Sequence, residues 1–157
     1  MQNKIDPRKF LNTCSTIEKT IAHVYRQFTK SVPCDGELKA IWIKMAEEEE
    51  QHATDINFAA RLPHETTFKV KDLTQERVNQ LLDLTKKILK KSKESTISTK
   101  VAIDITLKLE KEFLAIHIAS SIEFEKANMR KMFQLIVQSE EEHYREIRAY
   151  HQKYISH

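Results

Sequence analysis

Apolar residues recur at intervals of three and four over most of the chain, the spacing that lines one face of an α-helix. Phe10, Cys14, Ile17, Ile21, Val24 and Phe28 form the first stripe. It opens at Asp6-Pro7, a side-chain cap followed by proline at the first helical position, and predicts a helix over about 7–30. Pro33 and Gly36 interrupt the pattern. Asp35 is a suitable cap for a second helix over about 36–61, which Pro63 closes. After a loop over about 62–72, Val78, Leu81, Leu82, Leu84, Ile88 and Leu89 predict a helix over about 74–91. Two more follow, over about 97–120 and about 126–154. Ser120-x-x-Glu123 resembles a capping box for the last of these, but an internal repeat puts its start nearer Lys126, and the later start is preferred.

Short connections make the first two helices, and the last two, antiparallel pairs. The middle connection, roughly 62–96, is long enough to travel the length of a bundle. The expected fold is therefore all-α, a single domain over 1–157 in which two helical hairpins form a four-helix bundle and an extra helix lies in the crossover. An up-down-up-down bundle of five helices would separate the two halves of the candidate site described next. Composition agrees with the helical reading. One Gly and three Pro leave little turn chemistry for a many-stranded sheet, and 157 residues can bury a substantial core.

The charged positions inside the apolar stripes carry the chemistry. Glu18 is followed by Glu49-x-x-His52, and Glu110 by Glu140-x-x-His143. Glu110 lies 92 positions after Glu18, and Glu140 and His143 lie 91 after Glu49 and His52. The flanks repeat too: Ile17-Glu18-Lys19 matches Leu109-Glu110-Lys111, Trp42 matches Phe133, Met45-Ala46 matches Ile136-Val137, and Ile56 matches Ile147. These are the only two Glu-x-x-His matches in the chain, so the pattern is a duplicated helical hairpin rather than chance in a Glu-rich sequence.

Residues three apart share a helix face, so each Glu-x-x-His can grip a metal, and Glu18 and Glu110 would face them from the partner helices. A carboxylate on a buried stripe is costly unless paired or metal-bound. Four carboxylates and two imidazoles suit two iron ions, with manganese or zinc as other occupants. Glu47, Glu48, Glu50, Glu141 and Glu142 are read as a solvated helix face and left out of the site. Tyr25 and His117 lie seven residues after Glu18 and Glu110, about two turns along the ligand stripe. Core packing is the default for both, and Tyr25 is carried forward as a candidate neighbour of the ligands. Cys14, one turn before Glu18, is read as an inert buried thiol, and Asp55 as a residue that could orient His52.

The remaining features narrow the class. A net charge of +3, from 26 basic and 23 acidic residues, argues against nucleic acid as a partner. No apolar run approaches a membrane span and no signal-peptide core opens the chain, so a cytoplasmic location is expected. Cys14 and Cys34 form no C-x-x-C centre. Lys86, Lys87, Lys90, Lys91 and Lys93 would give the crossover helix a basic outer face able to dock an acidic electron carrier.

The pattern Trp42-x-x-x-Ala46-x-x-Glu49-x-x-His52-Ala53, with Phe133-x-x-x-x-x-x-Glu140-x-x-His143, resembles the rubrerythrin group of the ferritin-like superfamily over nearly the whole chain. The resemblance implies a ferritin-like bundle and a non-haem di-iron centre that reduces hydrogen peroxide, or dioxygen, with electrons from a rubredoxin-type protein. This chain has no rubredoxin module, and Phe113 stands where rubrerythrins tend to carry a further carboxylate, so the donor would be an external electron-transfer protein. A ferritin-like iron oxidation or storage protein, and a metal-dependent sensor or structural module, are the alternatives. A homodimer is compatible with either kind of role.

Overall fold

Asp6, Asp35 and Thr74 each start a helix by accepting from backbone amides of its first turn: Arg8 at 3.0 Å, Leu38 at 2.8 Å and Arg77 at 3.0 Å respectively. These caps satisfy donors that would otherwise have no partner in the first helical turn. The computed structural model describes residues 3–62, 68–70, 73–121 and 126–155. In chain order the elements are β1 (Asn3–Ile5), α1 (Pro7–Ser31), α2 (Gly36–Ala60), β2 (Phe68–Val70), α3 (Gln75–Glu94), α4 (Thr99–Ser121) and α5 (Ala127–Ile155). The capping-box residue Glu123 lies outside the described residues, and α5 opens one position after Lys126.

Cross-helix contacts fix the directions. Ser15 donates to the Ala53 carbonyl and Arg26 pairs with Glu50, so α1 and α2 run antiparallel. Lys44 bonds Glu146 and Lys153 bonds Glu37, so α2 and α5 do too. Tyr25 meets Glu110 while His117 meets Glu18, which sets α4 against α1. Helices α2 and α4, consecutive in the bundle, are therefore parallel, and the chain must return along the bundle between them. Helix α3 makes that return: Gln75 bonds Thr13 near the start of α1, and Arg77 approaches Glu112 of α4. At the other end Thr99 donates to the Pro33 carbonyl and ties α4 to the α1–α2 turn.

The core fills the space among the four long helices. Phe28 and Trp42 pack with ring centroids 5.2 Å apart, and the Trp42 indole N–H, fully buried, donates to Thr106 at 3.1 Å. A buried indole needs such a partner. Lys86, Lys87, Lys90, Lys91 and Lys93 are exposed on α3. No helix among the described residues is long and apolar enough to cross a membrane.

One element departs from the sequence reading. The expected loop over 62–72 contains β2, which pairs antiparallel with β1 in the register Asn3↔Val70, Lys4↔Lys69, Ile5↔Phe68. The end of α2 and the start of α1 lie at the same end of the bundle, so the segments flanking them can meet. Two strands this short would not persist alone. Ile5 is buried with the core, which anchors the ribbon to the bundle.

Candidate metal centre

The four helices of the bundle bring the ligand candidates together: Glu18 from α1, Glu49 and His52 from α2, Glu110 from α4, Glu140 and His143 from α5. The four carboxylates and His143 are at most 1% exposed and His52 is 8% exposed. They fall into two groups, each with its candidate ligand atoms within 4.8 Å of one another. One is Glu18, Glu49, His52 and Glu140; the other is Glu49, Glu110, Glu140 and His143. Glu49 and Glu140 belong to both. Each group thus has one carboxylate and one imidazole of its own and two shared carboxylates, an arrangement suited to two cations side by side.

Both imidazoles turn Nδ1 inward. His52 Nδ1 lies 3.3 Å from Glu49 Oε2, 3.4 Å from Glu140 Oε1 and 4.0 Å from Glu18 Oε1. His143 Nδ1 lies 3.0 Å from Glu49 Oε1 and 3.6 Å from Glu110 Oε2. The 3.0 Å approach is not aligned as a hydrogen bond, for among the described residues neither His143 Nδ1 nor Glu49 Oε1 has a hydrogen-bond partner. Nor have Glu18 Oε2, Glu110 Oε2 and Glu140 Oε1. One oxygen of each of the four carboxylates is therefore buried without a donor among the described residues. Such groups are costly when nothing binds them, and cations would satisfy all of them together. The donor set of four carboxylates and two imidazoles fits two divalent ions of the iron, manganese or zinc kind.

Protonation tells the same story. Burial, then the neighbouring Glu49 carboxylate, pushes Glu18 well above the usual carboxylate range, and burial with Glu110 does the same to Glu140. Burial would raise Glu49 as well, but the neighbouring Glu18, His143 and His52 side chains outweigh it and hold Glu49 low. Burial opposes protonation of His143, yet Glu110 and Glu49 prevail and push it up to about 11. With no cation present, protons gather in the cluster to balance its charge, and metal binding would release them.

No protein-family model matches the sequence, and no curated protein does. Among solved structures, the chain is similar to a Thermotoga maritima protein provisionally described as a ferritin-like diiron-carboxylate protein. The TM-score is 0.74 at 15% identity, over 97% of this chain and 98% of that one. The chain has the ferritin-like fold. At this identity the likeness speaks for the fold alone, and a rubrerythrin kinship is no part of it.

Around the centre of this ferritin-like bundle, Tyr25 and His117 both touch candidate ligands. The buried Tyr25 hydroxyl donates to Glu110 Oε1 at 2.6 Å, and His117 Nε2 lies 2.9 Å from Glu18 Oε1. Burial pushes the Tyr25 phenol well above its usual range and His117 down to about 3, so both are neutral at ordinary pH. Phe113 packs edge-on against His117 with centroids 4.2 Å apart. Cys14 is fully buried, and burial alone raises its thiol.

Two expectations need correction. Glu48 is not part of the solvated face: it accepts from His143 Nε2, and from Ser139 Oγ at 3.1 Å. The residues of α2 that bond α5, namely Glu37, Lys44 and Glu48, are spaced by seven and four, and that spacing is the signal that could have placed Glu48 inward. Asp55 does not orient His52, because it accepts from Gln51 at 2.9 Å and His52 turns Nδ1 to the carboxylates. Glu47, Glu50, Glu141 and Glu142 are exposed.

Proposed function

We propose that the chain is a non-haem di-iron oxidoreductase, of the kind that rubrerythrin represents, reducing hydrogen peroxide or dioxygen with electrons from an external donor. The observation that carries the reading is the pair of buried four-ligand groups sharing Glu49 and Glu140. The diiron-carboxylate description of the Thermotoga maritima protein of the same fold supports it. Two irons so held would supply reversible ferrous–ferric steps and open positions for a small oxidant.

The chain's own residues set the conditions for that chemistry. Glu49 and Glu140 would hold the two ions close, while Glu18 with His52, and Glu110 with His143, would each complete one half. Burial of these side chains shields them from bulk water, with His52 the most exposed of the six. Tyr25 holds a hydroxyl proton beside Glu110. Reducing one peroxide breaks its O–O bond, consumes two electrons and two protons, and yields two waters. The electrons must come from a carrier, and the exposed lysines of α3 offer an acidic one a docking face.

The test is stopped-flow absorbance of protein reconstituted anaerobically with Fe(II), mixed with peroxide or with oxygen. Faster oxidation by peroxide, followed by turnover with a reductant, is the expected result. Faster oxidation by oxygen with continued iron uptake would assign the chain to iron handling instead, and no oxidation by either would leave a structural or sensing role.

A further inference from the structure

The repeat that builds the two halves of the centre breaks beside the ligands. Glu48 precedes Glu49 on α2, and at the equivalent place, 91 positions on, Ser139 precedes Glu140 on α5. The two side chains meet on one side of the centre. His143 Nε2 and Ser139 Oγ both point at Glu48 Oε2, the serine at 3.1 Å. His143 is fully buried, whereas the Glu48 side chain is 33% exposed, so Glu48 links a buried imidazole to the surface.

The other half has no such contact. Among the described residues, His52 meets the carboxylates of Glu18, Glu49 and Glu140 through Nδ1 only. Serine is too short to reach across as Glu48 does, and here it turns to Glu48 itself.

An ionised carboxylate can only accept, which places a hydrogen on Nε2 of His143 and leaves Nδ1 to face Glu49 and Glu110. Outer partners of this sort fix the tautomer and ring orientation of a metal-binding imidazole and raise its basicity. Losing one typically costs about 10–100-fold in metal affinity. We infer that Glu48 is a positioning residue for His143, held in place by Ser139, and that this one-sided contact makes the Glu110/His143 half bind its metal more tightly than the Glu18/His52 half. The inference rests on the di-metal reading given above.

The experiment is anaerobic titration of the full chain with Co(II), followed by calorimetry and visible absorption, in the wild type, Glu48→Ala, Glu48→Gln and Ser139→Ala. The wild type is expected to bind two Co(II) in two steps. Glu48→Ala should weaken the tighter step about 10–100-fold and leave the weaker one unchanged. Glu48→Gln keeps an oxygen that can accept from Nε2 and should recover most of the affinity, with Ser139→Ala in between. A second readout needs no metal: the His143 Nε2–H resonance should be downfield and protected from exchange in the wild type and in Glu48→Gln, and lost in Glu48→Ala. Equal weakening of both steps, no weakening, or a glutamine variant as poor as alanine would overturn the assignment, as would a resonance that survives in Glu48→Ala. A wild type that takes up no pair of Co(II) ions is a different failure, that of the di-metal reading, and it removes the inequivalence with it.

Discussion

Tyr25 and His117 occupy the same place in the two halves of the repeat, 92 positions apart, and each reaches across to the carboxylate of the other half. The duplication has kept the geometry and changed the chemistry. A phenol faces Glu110 and a neutral imidazole faces Glu18. Together with the Glu48 and Ser139 pair, the exchange makes two halves built by one repeat chemically distinct.

Tyr25→Phe removes the donor to Glu110 Oε1 inside a buried site. A buried acceptor left without its donor costs about 1–3 kcal/mol. Urea denaturation of the metal-free variant should show destabilisation of that order with the slope unchanged. An unchanged midpoint would mean that the contact does not form in solution.

Glu49 serves both ligand groups and Glu18 only one. Glu49→Gln should therefore impair both metal positions, whereas Glu18→Gln should leave close to one metal per chain after reconstitution. Equal metal content in the two variants would contradict the sharing.

Asp35 gives a pH signature independent of metal. The Leu38 amide, then the Tyr150 hydroxyl at 2.9 Å, hold its carboxyl below the usual range. A carboxyl with a depressed folded pKa contributes stability that is present above its unfolded value of about 3.9 and is lost as pH falls through the folded value. Asp35→Ala should melt lower than the wild type at neutral pH, and the gap should close below about pH 3.9. A gap that stays constant down to pH 2 would show that capping by the carboxylate is not the cause.

The helices and the six clustered side chains were legible in the sequence because both are periodic and both are written twice. Glu18 and Glu110 stand on apolar stripes where a carboxylate has to be explained, and the repeat singles them out from the other glutamates. What escaped is nonlocal. The β1–β2 ribbon joins segments some 65 residues apart, each too short for its pattern to predict a strand, and the bundle brings them together only after it forms. Glu48 sits in a run of four glutamates, and only its position relative to α5 distinguishes it from Glu47 and Glu50. Asp55, one turn beyond His52, looked equally able to orient the ring, and Gln51 took it instead.

The central claim is that this cluster holds two metal ions. Metal content per chain after anaerobic Fe(II) reconstitution and desalting tests it most directly. Two irons per chain, falling toward none in Glu49→Gln, is the predicted result; fewer than one iron in the wild type would make the buried carboxylates and imidazoles a proton-balanced structural network and contradict the account.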